Sequence, residues 1–302
     1  MCIRDRVLSC CLVGTAQAKE RPNILFIFTD DQSHRTVSCY DQAYDWVNTP
    51  NIDQLASTGV RFAQAYIGTW CMPSRATQLT GYHQFGVESM RMEGVYPGSA
   101  YDPEKTPFWP SVFRRHGYTT ALGKWHTGVD NGYGRDWDHQ IVWNRPAHPD
   151  NAGNYFDDQI VEINGVSTRV QGYTTDWYTE RAAQFIRGDE RDNEQPWYLW
   201  LCYGAVHGPF TPAKRHFDAY PDAQVPVPQD IFTGDNRADK PKYVQIRDRW
   251  ALDKNGVPEL KSGVQQRTVK NAPIHGNTLQ NWVRHYQQGV LASADAVGKV
   301  GQ

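Results

Sequence analysis

The sequence predicts an α/β fold in which a mixed, mostly parallel central sheet carries helices on both faces. Two continuous apolar runs, Asn23–Thr29 and Trp197–Tyr203, have the length and composition of strands that are buried on both sides. Segments with helical spacing lie between and after them, among them Thr174–Arg187 and Leu279–Val297. Buried strands that alternate with helices are typical of a parallel sheet covered on both faces.

Composition narrows the class of protein. The chain has 302 residues and a formal net charge of −2, which is long enough for an α/β domain and too neutral to indicate a nucleic-acid partner. Aromatic residues make up 13% of the chain, which fits a sugar-binding protein and a large core equally well. After residue 18 no apolar run is long enough to predict a transmembrane segment.

Residues 1–18 are interpreted as a signal peptide. A short apolar run, Val7–Gly14, precedes the small-residue cleavage pattern Ala16–Ala18, so we expect an exported protein, periplasmic or extracellular. Asp5 is unusual in a charged lead and indicates a damaged start, and a lipoprotein signal at Cys10 is the alternative. Cleavage would leave three cysteines, which do not make a disulfide framework.

Cys71 opens a predicted helix with special chemistry at its start. Pro73 suits the first turn and Gly81 the C-terminal end. A helix N-terminus favours an anion, and Arg75, one turn on, adds a permanently charged planar donor. The alternative is an ordinary buried cysteine before a helix.

Two adjacent carboxylates, Asp30 and Asp31, follow the first predicted strand. Adjacent carboxylates are costly to bury unless they are paired or bound to a metal, and ligands of open α/β sheets bind off the carboxyl ends of strands. Their oxygens suit Ca²⁺ or Mg²⁺, whereas the alternative is a solvated turn.

Two further strand ends carry polar groups. The strand predicted over Gly117–Gly123 runs into Lys124 and His126, which project to the same side of an extended segment. His207 follows the strand Trp197–Tyr203. A surface lysine and hydrogen-bonded histidines are the alternative interpretation.

These segments together resemble the formylglycine-dependent sulfatases of the alkaline phosphatase superfamily. The stretch Cys71–Gly81, with Cys-x-Pro-Ser-Arg, is similar to the family signature, and Gly123–Gly128, Gly-Lys-Trp-His-x-Gly, to its second motif. His207–Pro209 is similar to a His-x-Pro segment of the family. Two helices, Thr49–Gly59 and the one containing Tyr286–Gly298, also resemble family helices.

The resemblance implies a role for each polar residue. Cys71 would be oxidised to formylglycine by a formylglycine-generating enzyme, and the hydrated aldehyde would be the nucleophile. Arg75 and Lys124 would balance charge on the sulfate, His126 would take a proton, and His207 would contact the ester oxygen.

The resemblance also implies a metal and a substrate. Asp30, Asp31 and the side chain at Cys71 would bind Ca²⁺ or Mg²⁺, and the substrate would be a sulfate ester, with sulfated carbohydrate suggested by export and aromatic content. Residues 19–302 would form the sulfatase catalytic domain without its C-terminal part and small C-terminal domain. A phosphodiesterase or phosphonate monoester hydrolase of the same superfamily, and an inactive sulfate-binding fragment, are the alternatives.

The remaining elements are predicted from local pattern. Val60–Tyr66 alternates like a strand, and Phe108–His116 has the pattern of a short helix. Residues 129–172 are predicted to be loops with a hairpin near Ile160–Val170, and residues 211–275 an irregular insertion.

Overall fold

A six-stranded mixed sheet forms the centre of the molecule. The computed structural model describes residues 21–87, 103–117, 120–151, 153–189, 191–262 and 277–301, so the predicted signal peptide lies outside the described residues. The strand order is β1-β6-β2-β3-β4-β5. The strands are β1 (Ile24–Phe28), β2 (Thr120–Lys124), β3 (His139–Trp143), β4 (Ile160–Ile163), β5 (Val166–Arg169) and β6 (Tyr198–Cys202).

The first four strands in this order are parallel, and β4 and β5 add an antiparallel hairpin to one edge. All five residues of β6 are buried, as the continuous apolar run predicted. Its side chains divide between two cores: Tyr198, Trp200 and Cys202 pack on one face, and Leu199 and Leu201 on the other. The predicted fold class is therefore confirmed.

Helices cover both faces of the sheet. α2 and α3 contribute to the core that contains Trp200, whereas α4 and α6 contribute to the core that contains Leu201. The helices are α1 (Pro50–Thr58), α2 (Cys71–Thr80), α3 (Pro110–Arg114), α4 (Thr174–Arg187), α5 (Lys242–Gln245) and α6 (Leu279–Val300). α4 has the predicted bounds, α6 runs three residues further, and α3 is shorter than predicted.

Two predictions of local structure were wrong. The segment Val60–Tyr66 is an exposed irregular stretch, and no strand in the described part of the chain pairs with its alternating apolar residues. β3 lies within residues that were predicted to be loops. It begins with two polar residues, His139 and Gln140, so the sequence lacks the continuous apolar run that predicts a buried strand. The strand is nevertheless buried from Gln140 onward.

The long segment after β6 is irregular, as predicted, in the part that the structure describes. Between residues 211 and 262 it contains short helical turns, α5 and a small hairpin of β7 (Trp250–Leu252) and β8 (Pro258–Leu260). The three cysteines of the described chain, Cys39, Cys71 and Cys202, are free. Within the described ranges, every helix is too short or too polar to cross a lipid bilayer.

Candidate active site

The carboxyl ends of β1, β2 and β6 meet at one edge of the sheet and position the polar groups. Pairing of β1 with β6 continues beyond both strands, because the Asp30 N–H donates to the Ala205 carbonyl (2.9 Å) and the Val206 N–H donates to the Asp30 carbonyl (2.7 Å). Lys124 is the last residue of β2. The strand ends thus carry Asp30, Lys124 and the segment leading to His207 to the same place.

Helix α2 brings Cys71 to this edge. Cys71 is its first residue, and Gly81 ends the helix in the left-handed conformation (φ +72°), as predicted. The Cys71 Sγ lies 3.3 Å from Nδ1 of His126. The two motifs that are 55 residues apart in the chain therefore meet at a thiol–imidazole contact.

Asp30, Lys124 and Arg75 form a buried charge network close enough to act on the Cys71 thiol. The Lys124 ammonium donates a hydrogen bond to Oδ2 of Asp30, and Nη2 of Arg75 lies 3.3 Å from the same oxygen. The other Arg75 nitrogen, Nη1, donates to the Lys124 carbonyl at 2.6 Å. Burial alone would raise the pKa of Asp30, but the two cations outweigh it and hold that pKa below its usual value.

Asp31 and His207 form the accessible side of the site. Oδ2 of Asp31 lies 3.7 Å from Nε2 of His207, and about half of the Asp31 side chain is exposed. Nδ1 of His207 donates to the Gly208 carbonyl at 2.7 Å, which turns Nε2 towards Asp31. Burial, with the nearby Lys124 charge, lowers the pKa of His207.

The environment of Cys71 disfavours the thiolate form of its side chain. Its burial raises its pKa above the ordinary value, and the carboxylates of Asp30 and Asp31 act in the same direction. The positive charges of Lys124 and Arg75 oppose this rise and do not overcome it. Because the thiolate is the reactive form, a raised pKa makes the unmodified Cys71 thiol less reactive than an ordinary cysteine.

Tyr155 completes the site and was not predicted from the sequence. Its buried ring stacks on His207 with 4.0 Å between ring centroids and 29° between planes. Nζ of Lys124 lies 4.5 Å from the Tyr155 centroid and 5.6 Å from that of Trp143. The sequence signal was the aromatic-rich composition of residues 129–172, which does not single out one ring.

The seven residues singled out in the sequence lie together around this edge, and their chemical roles remain predictions. Asp30 and Asp31 offer hard oxygen donors beside Cys71, which is the chemistry that Ca²⁺ and Mg²⁺ require. Among the described residues, no group of three or more His, Cys, Asp and Glu side chains is arranged to bind a metal ion. The two carboxylates therefore fit part of a cation's coordination shell.

Comparison with known proteins decides the family. The sequence profile of the Sulfatase family matches residues 22–300. The chain belongs to the sulfatase family. The chain is 31% identical over 227 residues to an N-acetylglucosamine-6-O-sulfatase of Bacteroides thetaiotaomicron, an alignment that covers 74% of this chain and 38% of the relative. It is also 35% identical over 132 residues to an N-acetylgalactosamine-6-O-sulfatase of the same organism, covering 42% of this chain and 25% of the relative.

The solved structures agree with the fold of the sulfatase. One of them, a protein in complex with its substrate D-glucosamine-2-N,6-O-disulfate, matches with a TM-score of 0.70 at 23% identity. The match covers 93% of this chain and 61% of the other. At this identity the likeness shows the fold alone. This chain covers 38%, 25% and 61% of the length of the three proteins, which is less than two thirds in each case.

Proposed function

We propose that this sulfatase hydrolyses sulfate esters of glycans, using formylglycine made from Cys71 and a divalent cation. One observation carries the proposal: the Cys71 side chain contacts His126 at 3.3 Å and lies near the buried network of Asp30, Lys124 and Arg75. Burial raises the pKa of the Cys71 thiol and so weakens it as a nucleophile, whereas the same position suits a residue that is modified before it reacts.

The charges of the site support a divalent cation. Asp30 and Asp31 carry two negative charges, and Lys124 and Arg75 carry two positive ones, so these groups have no net attraction for an anionic ester. Asp30, Asp31 and the side chain at position 71 would hold Ca²⁺ or Mg²⁺. Bound there, the cation would polarise the ester oxygens and lower the pKa of a hydroxyl at position 71.

The residues of the chain would divide the remaining work. Formylglycine at position 71 would supply the hydrated aldehyde as the oxygen nucleophile for sulfur. His126 is placed to accept a proton at Nδ1 from a group on residue 71, and Nε2 of His207 faces the accessible side, where the alcohol leaves. Lys124 and Arg75 place fixed positive charge under the developing negative charge.

The relatives support a glycan substrate. Two are named for O-sulfated amino sugars, and the protein in the matching solved structure binds a disulfated glucosamine as its substrate. We propose a sulfated amino sugar as the first substrate to test. We also propose that the protein is exported and that a formylglycine-generating enzyme is its partner before export, on the strength of residues 1–18 and the motif at Cys71.

The test begins with the modification. The chain is co-expressed with a formylglycine-generating enzyme, and the peptide containing Cys71 is examined by mass spectrometry and by reaction with a hydrazide. Formation of an aldehyde at Cys71 is the expected result. The converted protein is then assayed with Ca²⁺ on N-acetylglucosamine-6-sulfate, N-acetylgalactosamine-6-sulfate and a matched pair of aryl sulfate and aryl phosphate.

A matched control separates chemistry from folding. Cys71→Ala should remove turnover while the free energy of unfolding stays within about 1 kcal/mol of the unmodified chain, since one half-buried sulfur is lost. Faster hydrolysis of phosphate diesters or phosphonates than of sulfates would favour the other hydrolases of the superfamily. Turnover by Cys71→Ala at the rate of the converted protein would refute the proposed nucleophile.

A further inference from the structure

The hydroxyl of Tyr286 bridges both sides of the turn that follows β1. It donates a hydrogen bond to the Asp31 carbonyl at 2.6 Å and accepts one from the Ser33 N–H at 2.8 Å. Tyr286 belongs to α6, about 250 residues further along the chain. Helix α6, which is distant in sequence, thus contacts the backbone of the site residue Asp31.

The turn after β1 determines the directions in which the Asp30 and Asp31 side chains point. Consecutive residues of an extended strand point in opposite directions, so Asp30 and Asp31 would face opposite sides if β1 simply continued. Asp31 instead adopts the left-handed conformation, with φ +55°. Oδ2 of Asp30 then contacts Lys124, and Oδ2 of Asp31 lies near His207, so both carboxylates face the Cys71 side of the sheet edge.

The left-handed conformation needs support. For a residue other than glycine it costs on the order of 1–2 kcal/mol, and it persists where the surroundings determine it. The two hydrogen bonds of Tyr286 lie on either side of this conformation, at the carbonyl of Asp31 itself and at the N–H of Ser33.

Tyr286 is itself held firmly. Its ring packs on Phe210, with centroids 4.8 Å apart, and stacks on Trp282 at 6.3 Å. The Tyr286 hydroxyl is a hydrogen-bond donor at neutral pH, as its contact with the Asp31 carbonyl requires. Phe210 is three residues beyond His207, and α6 therefore contacts the segments that carry both accessible groups of the site.

We propose that Tyr286 is a positioning residue whose hydroxyl holds Asp31 in the conformation that binds the divalent cation. The inference rests on the proposed function, because it assumes that Asp31 is a metal ligand. Tyr286 touches neither substrate nor reacting atoms in this scheme, and it acts through the backbone of Asp31.

The test compares two phenylalanine substitutions. Tyr286→Phe removes the hydroxyl and keeps the ring. Tyr178→Phe is the matched control, because the buried Tyr178 hydroxyl donates to Gln159 in the core that contains Leu201. Calcium binding to the whole chain is measured by isothermal titration with Ca²⁺ alone. Hydrogen exchange is measured on the peptide that contains the Ser33 amide.

The expected result has two parts. Calcium affinity should fall about tenfold in Tyr286→Phe and stay within about twofold in Tyr178→Phe, as for other groups that orient a metal ligand. Exchange at Ser33 should be faster in Tyr286→Phe alone, because that amide loses its acceptor.

Each other outcome has one meaning. Calcium binding that is equal in the unmodified chain and Tyr286→Phe would refute this inference and leave the proposed function standing. Unchanged exchange at Ser33 would also refute it, since the contact would then not hold the turn. An unmodified chain that binds no calcium would refute the metal site in the proposed function, and this inference with it.

Discussion

At the scale of single residues, the Arg75 side chain is fully buried although it carries a permanent charge. Its guanidinium donates to Oδ2 of Asp30 and to the carbonyl of Lys124. The Cζ atom of Arg75 lies over the Phe28 ring, 5.3 Å from the ring centroid. Its planar fork satisfies two acceptors at once, which an ammonium group cannot do in the same positions. Arg75 therefore fixes the two groups around it as well as supplying charge.

The first prediction follows from this fork. Arg75→Lys keeps the charge and loses one hydrogen bond to a buried acceptor, so the free energy of unfolding should fall by about 2 kcal/mol in urea titration. Arg187→Lys is the control, because Arg187 is exposed and its ion pairs are longer than 3.5 Å. Equal stability of the two variants would show that the Arg75 fork is dispensable.

A second prediction at this scale concerns Tyr155. Tyr155→Phe keeps the ring against His207 and should leave kcat within about threefold, whereas Tyr155→Leu removes the stacking surface and should lower kcat about tenfold or more. KM should change less than kcat, because the ring is buried and does not face solvent. The ring-current shift of the His207 protons at one fixed pH reports the contact directly. Loss of that shift without loss of turnover would contradict the role.

At the scale of elements, β2 and β6 approach closely at Gly123. This glycine has φ +98°, and a Cβ there would lie within 2 Å of the Cys202 carbonyl oxygen. Gly123 directly precedes Lys124, so the close approach sets where the end of β2 stands relative to β6. The glycine of the second motif is therefore a packing requirement of the sheet.

The third prediction tests that requirement. Gly123→Ala should lower the free energy of unfolding by about 3 kcal/mol or more, because backbone strain and a clash with a carbonyl add together. Gly134→Ala has a similar positive φ and open space around it, so it should cost only about 1–2 kcal/mol. Chemical unfolding of both variants measures the difference. If the two costs are equal, the approach of β2 to β6 is not what demands glycine.

Elements with a strong local pattern were predictable, and those that depend on tertiary contact were not. The apolar runs of β1 and β6, the glycine that ends α2 and the helical spacing of α4 carry their structure in adjacent residues. The strand β3 was not predicted, because it begins with two polar residues. The resemblance of their motifs to those of the sulfatases likewise marked the seven site residues. Tyr155 and the bridge from Tyr286 depend on contacts across 52 to 255 residues, which no local pattern encodes.

At the scale of the whole molecule, an ion network ties α4, α6 and the segment between them. Arg215 donates to both oxygens of Asp176 on α4 at 2.8 and 2.9 Å, and to Asp295 on α6 at 3.0 Å. His216 also contacts Asp295, at 2.8 Å. The two helices that cover one face of the sheet are therefore joined through the long segment that follows His207.

The fourth prediction follows from that network. Arg215→Gln should lower the free energy of unfolding by about 1 kcal/mol at low salt, and the loss should shrink at high salt, since these groups are partly exposed. Thermal unfolding across a salt series gives both quantities. A loss that does not depend on salt would indicate packing of the Arg215 stem instead of its charge.

The order of the strands also sets a delay, during synthesis, between translation of Cys71 and completion of the sheet around it. β1 pairs with β6, and Gln78 of α2 accepts a hydrogen bond from Trp200 of β6, so α2 cannot complete its packing until β6 has been made. β6 ends about 130 residues after Cys71. At about 5–20 residues per second, that distance takes about 7 to 26 seconds to translate. For that interval the nascent chain presents Cys71 without the sheet that later covers it, so the modifying enzyme that we propose for Cys71 would meet an open peptide.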